Sequence, residues 1–175
     1  MRLYGRTNQV GRRLRELGAR PGRLVAVVMD KGWEQIVALH GNLASGAAYV
    51  PIDPAVPAER LRRLLRQARA GLVLTHSRID ARAAWPDGVR RLCVDTDFEE
   101  VDDGPLEPVQ RQTDLANVIF TSGSTGTPKG VMGRPPGCAQ RPARREPAPG
   151  HGPRRPVPGP VGHLVRPVGV TTRSE

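Results

Sequence analysis

Residues 119–132 read IFTSGSTGTPKGVM and bring together three glycines, five hydroxyl side chains and one lysine. Glycines at positions 123, 126 and 130 permit tight turns and let backbone N–H groups come close to an anion. The hydroxyl groups add hydrogen-bond donors, and the lysine adds a positive charge. This segment therefore has the chemistry needed to hold a polyphosphate.

The spacing of glycine and lysine differs from that of the P-loop, G-x-x-x-x-G-K-[ST]. The residue five positions after Gly123 is Pro128, and Lys129 is followed by Gly130 instead of serine or threonine. The P-loop motif is therefore absent. A Ser/Gly loop without any ligand is the structural alternative when residue types alone are considered.

The order of residues in FTSGSTGTPKGV closely resembles the phosphate-binding signature of the adenylate-forming superfamily, whose enzymes join a carboxylate to AMP from ATP. In that family the matching loop closes on the β and γ phosphates, and its lysine clamps the departing pyrophosphate. The resemblance implies that the ATP phosphate-binding residues are Thr121, Ser122, Gly123, Ser124, Thr125, Gly126, Thr127, Lys129 and Gly130. We assign no catalytic residue and no metal ligand.

Three further stretches resemble the amino-acid-activating adenylation domains of nonribosomal peptide synthetases, in the same order along the chain. They are YGRTNQVGRRLRELGARPG (residues 4–22), LASGAAYVPIDP (43–54) and ERLRRLLRQARAGLVLT (59–75). The resemblance covers residues 3–132, which we interpret as the N-terminal part of such a domain. We interpret residues 46–54 as structural, because they read as a strand and a proline-bounded turn.

Hydrophobic patterning predicts alternating strands and helices. Strands are expected within residues 23–30, 47–54, 72–77, 91–96 and 114–120, with Pro51 and Pro54 stopping the second. Helices are expected over residues 8–17 before Gly18, from Trp33 to Gly46, and along the stripe Leu61, Leu64, Leu65 and Ala68 before Gly71, with a weak helix before the fourth strand. Residues 98–112 read as a loop. The alternation predicts an α/β class with a parallel sheet and crossover helices. The resemblance implies that these elements form part of the adenylate-forming ligase fold. Because the chain has only six aromatic residues, the core is expected to be aliphatic.

Isolated polar residues indicate little additional chemistry. His40 and His76 have no carboxylate or cysteine partner at useful spacing, so we interpret both as core or surface histidines. Cys93 and Cys138 lack metal-ligand or CxxC spacing and are expected to be free thiols. A solvated acidic loop is expected to hold Asp95, Asp97, Glu99, Glu100, Asp102 and Asp103.

The pattern of helices and strands ends after Met132. Ten of the 18 prolines fall in residues 133–175, together with eight arginines against two glutamates, so this part carries most of the +10 net charge. We predict a disordered tail. A basic, proline-rich arm that binds nucleic acid or an anionic surface is the alternative, but no aromatic side chains alternate with its arginines for base stacking. No apolar run is long enough to span a bilayer. We therefore expect a cytoplasmic chain that binds neither nucleic acid nor membranes.

A shifted reading frame offers an explanation for the tail. Family members continue after the loop with an acidic residue, HRGA and asparagine, and later with aspartate before NR. When the degenerate codons of residues 134–148 are read one nucleotide further on, they permit DHRGA, then asparagine, then DVNR. We therefore expect that a frameshift near Met132 produced residues 133–175.

The resemblance implies that an intact parent enzyme binds ATP with Mg²⁺ and an amino acid, forms an aminoacyl adenylate and transfers the acyl group to a carrier-protein thiol. The acyl-pocket, adenine-binding and C-terminal lysine motifs have no counterpart in these 175 residues, so we expect the chain alone to be inactive, with no certain cofactor. The alternatives are a stand-alone phosphate- or nucleotide-binding module and a fragment complemented by a downstream chain.

Overall fold

A computed structural model describes residues 3–98, 101–121 and 128–134. The helices are α1 (Leu3–Glu16), α2 (Trp33–Ser45), α3 (Ala58–Ala68) and the single turn α4 (Ser77–Asp80). The strands are β1 (Leu24–Val28), β2 (Ala48–Ile52), β3 (Leu72–Thr75), β4 (Arg90–Cys93), β5 (Asn117–Thr121) and β6 (Lys129–Gly133). In this part of the chain no helix is long and apolar enough to cross a membrane.

The strands form one sheet in the order β4-β3-β1-β2-β5-β6. Strands β1 to β5 all run parallel to one another, and β6 runs antiparallel to β5 at the edge of the sheet. The predicted α/β class, with a parallel sheet and crossover helices, is confirmed. Strand β6 is an addition that the sequence pattern does not indicate, because KGVMG contains two glycines and only two apolar residues. It also extends one residue past the predicted boundary at Met132.

Strand β2 continues through Pro51, contrary to the prediction that this proline stops it. The N–H of Tyr49 donates to the carbonyl oxygen of Ala116 at 3.0 Å, so the nitrogen of residue 51 points toward β5 as well. Proline has no N–H to donate there. The β2–β5 ladder accordingly pairs at Tyr49 and Asn117, whereas Pro51 keeps its place opposite Val27 of β1. Proline limits pairing with one neighbour without ending the strand.

Helix α1 begins at Leu3, five residues before the predicted start, and packs closely on α2. A Cβ atom built on Gly41 would lie 2.6 Å from the Cβ of Val10, so glycine at this position permits the close approach. Val10 and Leu14 are fully buried at the contact. The predicted C-cap is confirmed, since Gly18 adopts a φ of 88° just after the helix.

The polar side of α1 holds the long connection from β4 to β5. Asn8 Nδ2 donates to the carbonyl oxygen of Asp103 at 2.9 Å, and Gln9 Nε2 donates to that of Val101 at 2.7 Å. One turn further along, Arg12 Nη2 donates to the carbonyl oxygen of Gly104 at 3.1 Å. Residues 101–112 form a loop, as predicted, but α1 fixes its course on the way to β5.

Helix α3 buries the predicted stripe, since Leu61, Leu64, Leu65 and Ala68 are each at most 5% exposed. The predicted C-cap at Gly71 is wrong. Arg69 takes the left-handed conformation with a φ of 48°, and the N–H of Ala70 donates to the carbonyl oxygen of Leu65 at 3.1 Å. The cap of α3 is therefore Arg69, two residues before the predicted Gly71. A non-glycine residue can end the helix here because these hydrogen bonds satisfy its last carbonyl groups.

Candidate functional site

The β5–β6 hairpin places the two ends of the glycine-rich segment opposite each other. Thr121 is the last residue of β5, Lys129 is the first of β6, and they are cross-strand partners. Thr121 Oγ1 lies 3.4 Å from the carbonyl oxygen of Lys129, a long hydrogen bond that leaves the hydroxyl largely available. Both side chains are exposed. The loop therefore starts with a hydroxyl and ends with a cation on the same face of the hairpin.

Gly130 has a packing role that is visible without any ligand. It lies opposite Phe120, and a Cβ atom built on it would be 3.0 Å from Val118 Cγ1 and 3.4 Å from Phe120 Cε1. A side chain at this position would press on Val118 and would contact Phe120 at an ordinary van der Waals distance. The presence of this glycine is thus explained by cross-strand packing as well as by the predicted approach to phosphate.

The base of the hairpin is anchored on β2. Asn117 Nδ2 donates to Tyr49 Oη at 3.2 Å, and Gly133 lies directly opposite Asn117. Val118 is 7% exposed and fastens the same end to the core. Because β5 is parallel to β2, Thr121 lies at the carboxyl edge of the sheet, the edge where ligands of open α/β sheets bind.

Three of the nine predicted phosphate-binding residues are therefore located, namely Thr121, Lys129 and Gly130. Within the described residues, Lys129 Nζ takes part in no salt bridge or hydrogen bond. The other six lie outside the described residues: Ser122, Gly123, Ser124, Thr125, Gly126 and Thr127.

A second polar cluster, which sequence reasoning missed, surrounds His76. Its Nε2 lies 3.8 Å from Glu34 Oε1, and its Nδ1 lies 3.4 Å from Asp95 Oδ2. Ser77 donates both its backbone N–H and its hydroxyl to Asp95. Burial opposes ionisation of Asp95, but the hydrogen bonds from Ser77 and the nearby His76 outweigh it and hold the pKa of Asp95 below its ordinary value. The sequence does not reveal this cluster, because Glu34 follows β1, His76 and Ser77 follow β3, and Asp95 follows β4.

The predicted acidic loop is only partly solvated. Asp97 Oδ2 accepts the backbone N–H of Cys93 at 2.7 Å, so this carboxylate closes the turn after β4. Cys93 is a buried free thiol, and burial together with Asp97 raises its pKa to about 11. Cys138, Glu99 and Glu100 lie outside the described residues. Among the residues that are described, no three His, Cys, Asp or Glu side chains are grouped so as to hold a metal ion.

With this geometry in place, comparison with known proteins identifies the class of protein. Residues 2–135 match the model of the AMP-binding enzyme family, described as "AMP-binding enzyme". The chain belongs to this family. Its sheet and helices are those of the adenylate-forming ligase fold, and the matched residues correspond to the N-terminal part of a nonribosomal peptide synthetase adenylation domain.

The individual relatives support this placement. The chain is 43% identical over 128 residues to Gramicidin S synthase 2 of Aneurinibacillus migulanus, covering 73% of this chain and 3% of the relative. It is 38% identical over 133 residues to Bacitracin synthase 3 of Bacillus licheniformis, covering 74% of this chain and 2% of the relative. The crystal structure of the nonribosomal peptide synthetase FmoA3 in its AMPPNP-bound form matches with 50% identity and a TM-score of 0.71, over 75% of this chain and 14% of that one. The chain thus spans a small part of each relative.

Proposed function

We propose that this chain supplies the ATP phosphate-binding part of an enzyme that activates an amino acid as an aminoacyl adenylate. The single observation that carries the proposal is the cross-strand pairing of Thr121 with Lys129, which brings a hydroxyl and a cation to the two ends of the glycine-rich loop. The 50% sequence identity with a synthetase whose crystal structure contains AMPPNP supports ATP as the nucleotide.

The described residues have separate roles in this proposal. Lys129 Nζ, which is exposed at the start of β6, balances the charge that builds on pyrophosphate as it leaves the α phosphate. Thr121 donates a hydrogen bond to a phosphate oxygen from the end of β5. The backbone at Gly130 lies close to Phe120 and Val118, which holds the start of β6, and with it the backbone of Lys129, against β5. The hairpin positions donors before the nucleotide arrives.

Magnesium in the intact family enzymes accompanies the nucleotide and neutralises phosphate charge. The located site residues, a threonine hydroxyl, a lysine and a glycine, suit phosphate oxygens and lack the carboxylate oxygens that Mg²⁺ prefers. The Mg²⁺ ion would therefore be bound through ATP rather than by these three residues. The amino acid and the carrier protein belong to the proposal only as partners of an intact parent enzyme.

Isothermal titration of the full 175-residue chain with Mg-AMPPNP tests the phosphate-binding role. We expect binding, and we expect Lys129→Ala to weaken it at least about tenfold, since a hydrogen bond to a charged group is worth about 1.5–3 kcal/mol. Arg63→Ala removes the same charge from an exposed position on α3 and should leave affinity within about twofold. Absence of binding, or equal losses in the two variants, would overturn the proposed site.

A second assay separates binding from catalysis. We expect no amino-acid-dependent exchange of pyrophosphate into ATP by this chain with any of the twenty amino acids, because the acyl-pocket and adenine motifs have no counterpart in it. Exchange above background would show that the chain is catalytically competent. Binding without exchange is the result that agrees with the proposal.

We also infer that residues 3–132 are the adenylation-domain part and that residues 133–175 are frameshifted, with β6 ending one residue into the latter. Sequencing the genomic DNA from the codon for Phe98 onward, and translating three frames over about a kilobase, tests this inference. Resumption of the acyl-pocket and adenine motifs in another frame is expected. Their absence from every frame would overturn it.

A further inference from the structure

A cleft of about 170 Å³ opens beside the ends of β1 and β3, away from the hairpin. Its walls come from the segments that follow these strands and from the first turn of α2. Met29 and Ile79 contribute apolar surface and are each 3% exposed. Charged side chains also line the cleft. Six of the eight lining residues are charged or polar, so the cleft suits a small polar ligand and not an apolar one.

The sheet topology singles out this position. Strand β1 is followed through α2 by β2 on one side, and β3, which follows β2 through α3, lies on the other side of β1. Right-handed crossovers then place α2 and α3 on opposite faces of the sheet. The carboxyl ends of β1 and β3 therefore form a topological switch point, where open α/β sheets bind their ligands.

Positively charged side chains outnumber carboxylates around the cleft. Three cations, Lys31, Arg78 and Arg82, line it together with two carboxylates, Asp30 and Glu34. Asp30 Oδ2 lies 3.8 Å from Arg82 Nη2, and Glu34 Oε1 lies at the same distance from His76 Nε2. Within the described part of the chain, neither Lys31 Nζ nor the Arg78 guanidinium has a salt-bridge partner. Lys31 and Arg78 thus line the cleft without a salt-bridge partner among the described residues, and its three cations exceed its two carboxylates by one charge.

We propose that this cleft binds the phosphate group of a small phosphorylated molecule, with Lys31 and Arg78 as its ligands. A phosphate monoester carries a charge between −1.5 and −2 near neutral pH, which matches two free cations better than a carboxylate does. The cleft has room for roughly five or six water molecules at about 30 Å³ each, more than a phosphate group requires. The remaining space accepts a short polar substituent.

This site is distinct from the proposed ATP site. Strand β5, which carries Thr121, is two strands away from β1 in the sheet, or roughly 10 Å at the usual strand spacing. The proposal therefore does not depend on the role of the hairpin. A ligand in the cleft should affect residues around Lys31 and Arg78 and leave the environment of Lys129 unchanged.

Nuclear magnetic resonance of the ¹⁵N-labelled full chain tests the proposal with glycerol 3-phosphate as the probe and glycerol as the uncharged control. We expect saturable shifts of the amides of Lys31, Gly32, Ser77 and Arg78 with glycerol 3-phosphate, and none with glycerol or with sodium chloride at equal ionic strength. Equal shifts with glycerol would overturn the proposal, and so would the absence of any shift at about 20 mM glycerol 3-phosphate, a concentration that would reveal even millimolar binding.

Substitutions localise the effect. Lys31→Gln combined with Arg78→Gln should raise the dissociation constant at least about tenfold, since two charge-assisted contacts are lost. Arg60→Gln combined with Arg63→Gln removes the same charge from exposed positions on α3 and should change it less than about twofold. All four side chains are exposed, so both double variants should keep the wild-type amide spectrum elsewhere. Equal weakening in both would show a nonspecific charge effect and refute the site.

Discussion

Thr121 and Lys129 lie directly opposite each other at the open end of the β5–β6 hairpin, with Thr121 Oγ1 3.4 Å from the Lys129 carbonyl oxygen. The contact is too long to contribute much to stability, so the hydroxyl can serve a ligand at little cost to the fold. This pairing separates two roles of the hairpin. Its open end carries the exposed polar groups, whereas its base is fastened to the sheet.

We expect Thr121→Val to leave the free energy of unfolding within about 0.5 kcal/mol of wild type, because the residue is exposed and its hydrogen bond is long. Affinity for Mg-AMPPNP should fall about threefold to tenfold, as for loss of one hydrogen bond. Urea denaturation and calorimetric titration measure the two quantities. Thr121→Ser retains the hydroxyl and should bind normally; if it binds as weakly as the valine variant, the hydroxyl is not the donor.

The base of the hairpin should be intolerant of any side chain at Gly133. A Cβ atom built there would lie 2.2 Å from Asn117 Oδ1, so Gly133→Ala must displace the amide that donates to Tyr49. We expect a loss of about 1–3 kcal/mol in urea denaturation. Gly71→Ala is the matched control, since nothing lies within 4 Å of its Cβ position, and it should be neutral or slightly stabilising. Equal effects in the two variants would contradict the packing argument.

Local sequence patterns were sufficient to predict most of the parallel sheet. Apolar runs marked β1 and β3, and Trp33 and Gly46 marked the beginning and end of α2. These features depend on residues that are close together in the chain. The conformation of Arg69 shows the limit of such reasoning, because the last carbonyl groups of α3 obtain hydrogen bonds whether or not a glycine follows.

What the sequence did not reveal depends on residues that meet only after folding. Strand β6 is defined by its pairing with β5, since its own composition has little strand character. His76 meets Glu34 and Asp95 because the carboxyl ends of parallel strands converge at one edge of the sheet. For the phosphate loop, the order of residues predicted the site, whereas Lys129 and Thr121 became partners only through β6.

Asn42 offers a test of an uncompensated polar group in the core. Its side chain is fully buried on α2, and neither the amide nitrogen nor the amide oxygen has a partner within the described residues. Because a buried unsatisfied group costs about 1–3 kcal/mol, Asn42→Val should raise the free energy of unfolding by about 1–2 kcal/mol in urea denaturation. Asn8→Val is the control: Asn8 is also buried, but its amide donates to the carbonyl oxygen of Asp103, so its loss should destabilise the fold. A destabilised Asn42→Val would mean that the amide has a structural partner.

The hydrogen bonds of Asp95 should make part of the stability depend on pH. Its pKa is held below 3.8 in the folded chain. The ionised carboxylate therefore adds to the free energy of unfolding at a pH above the pKa of the unfolded chain. That contribution is lost as the pH falls through the pKa of the folded chain. Asp95→Asn should therefore cost about 1–3 kcal/mol at pH 7, as for hydrogen bonds to a charged acceptor. The deficit should begin to shrink near pH 3.8, where Asp95 becomes protonated in the unfolded chain, and should disappear as the pH falls through the lower pKa of the folded chain. Urea denaturation at several pH values measures it, with Asp87→Asn, an exposed residue, as a control expected to show no deficit. A deficit that stays constant down to the lowest pH at which the wild type still folds would show that Asp95 acts through its shape and not through its charge.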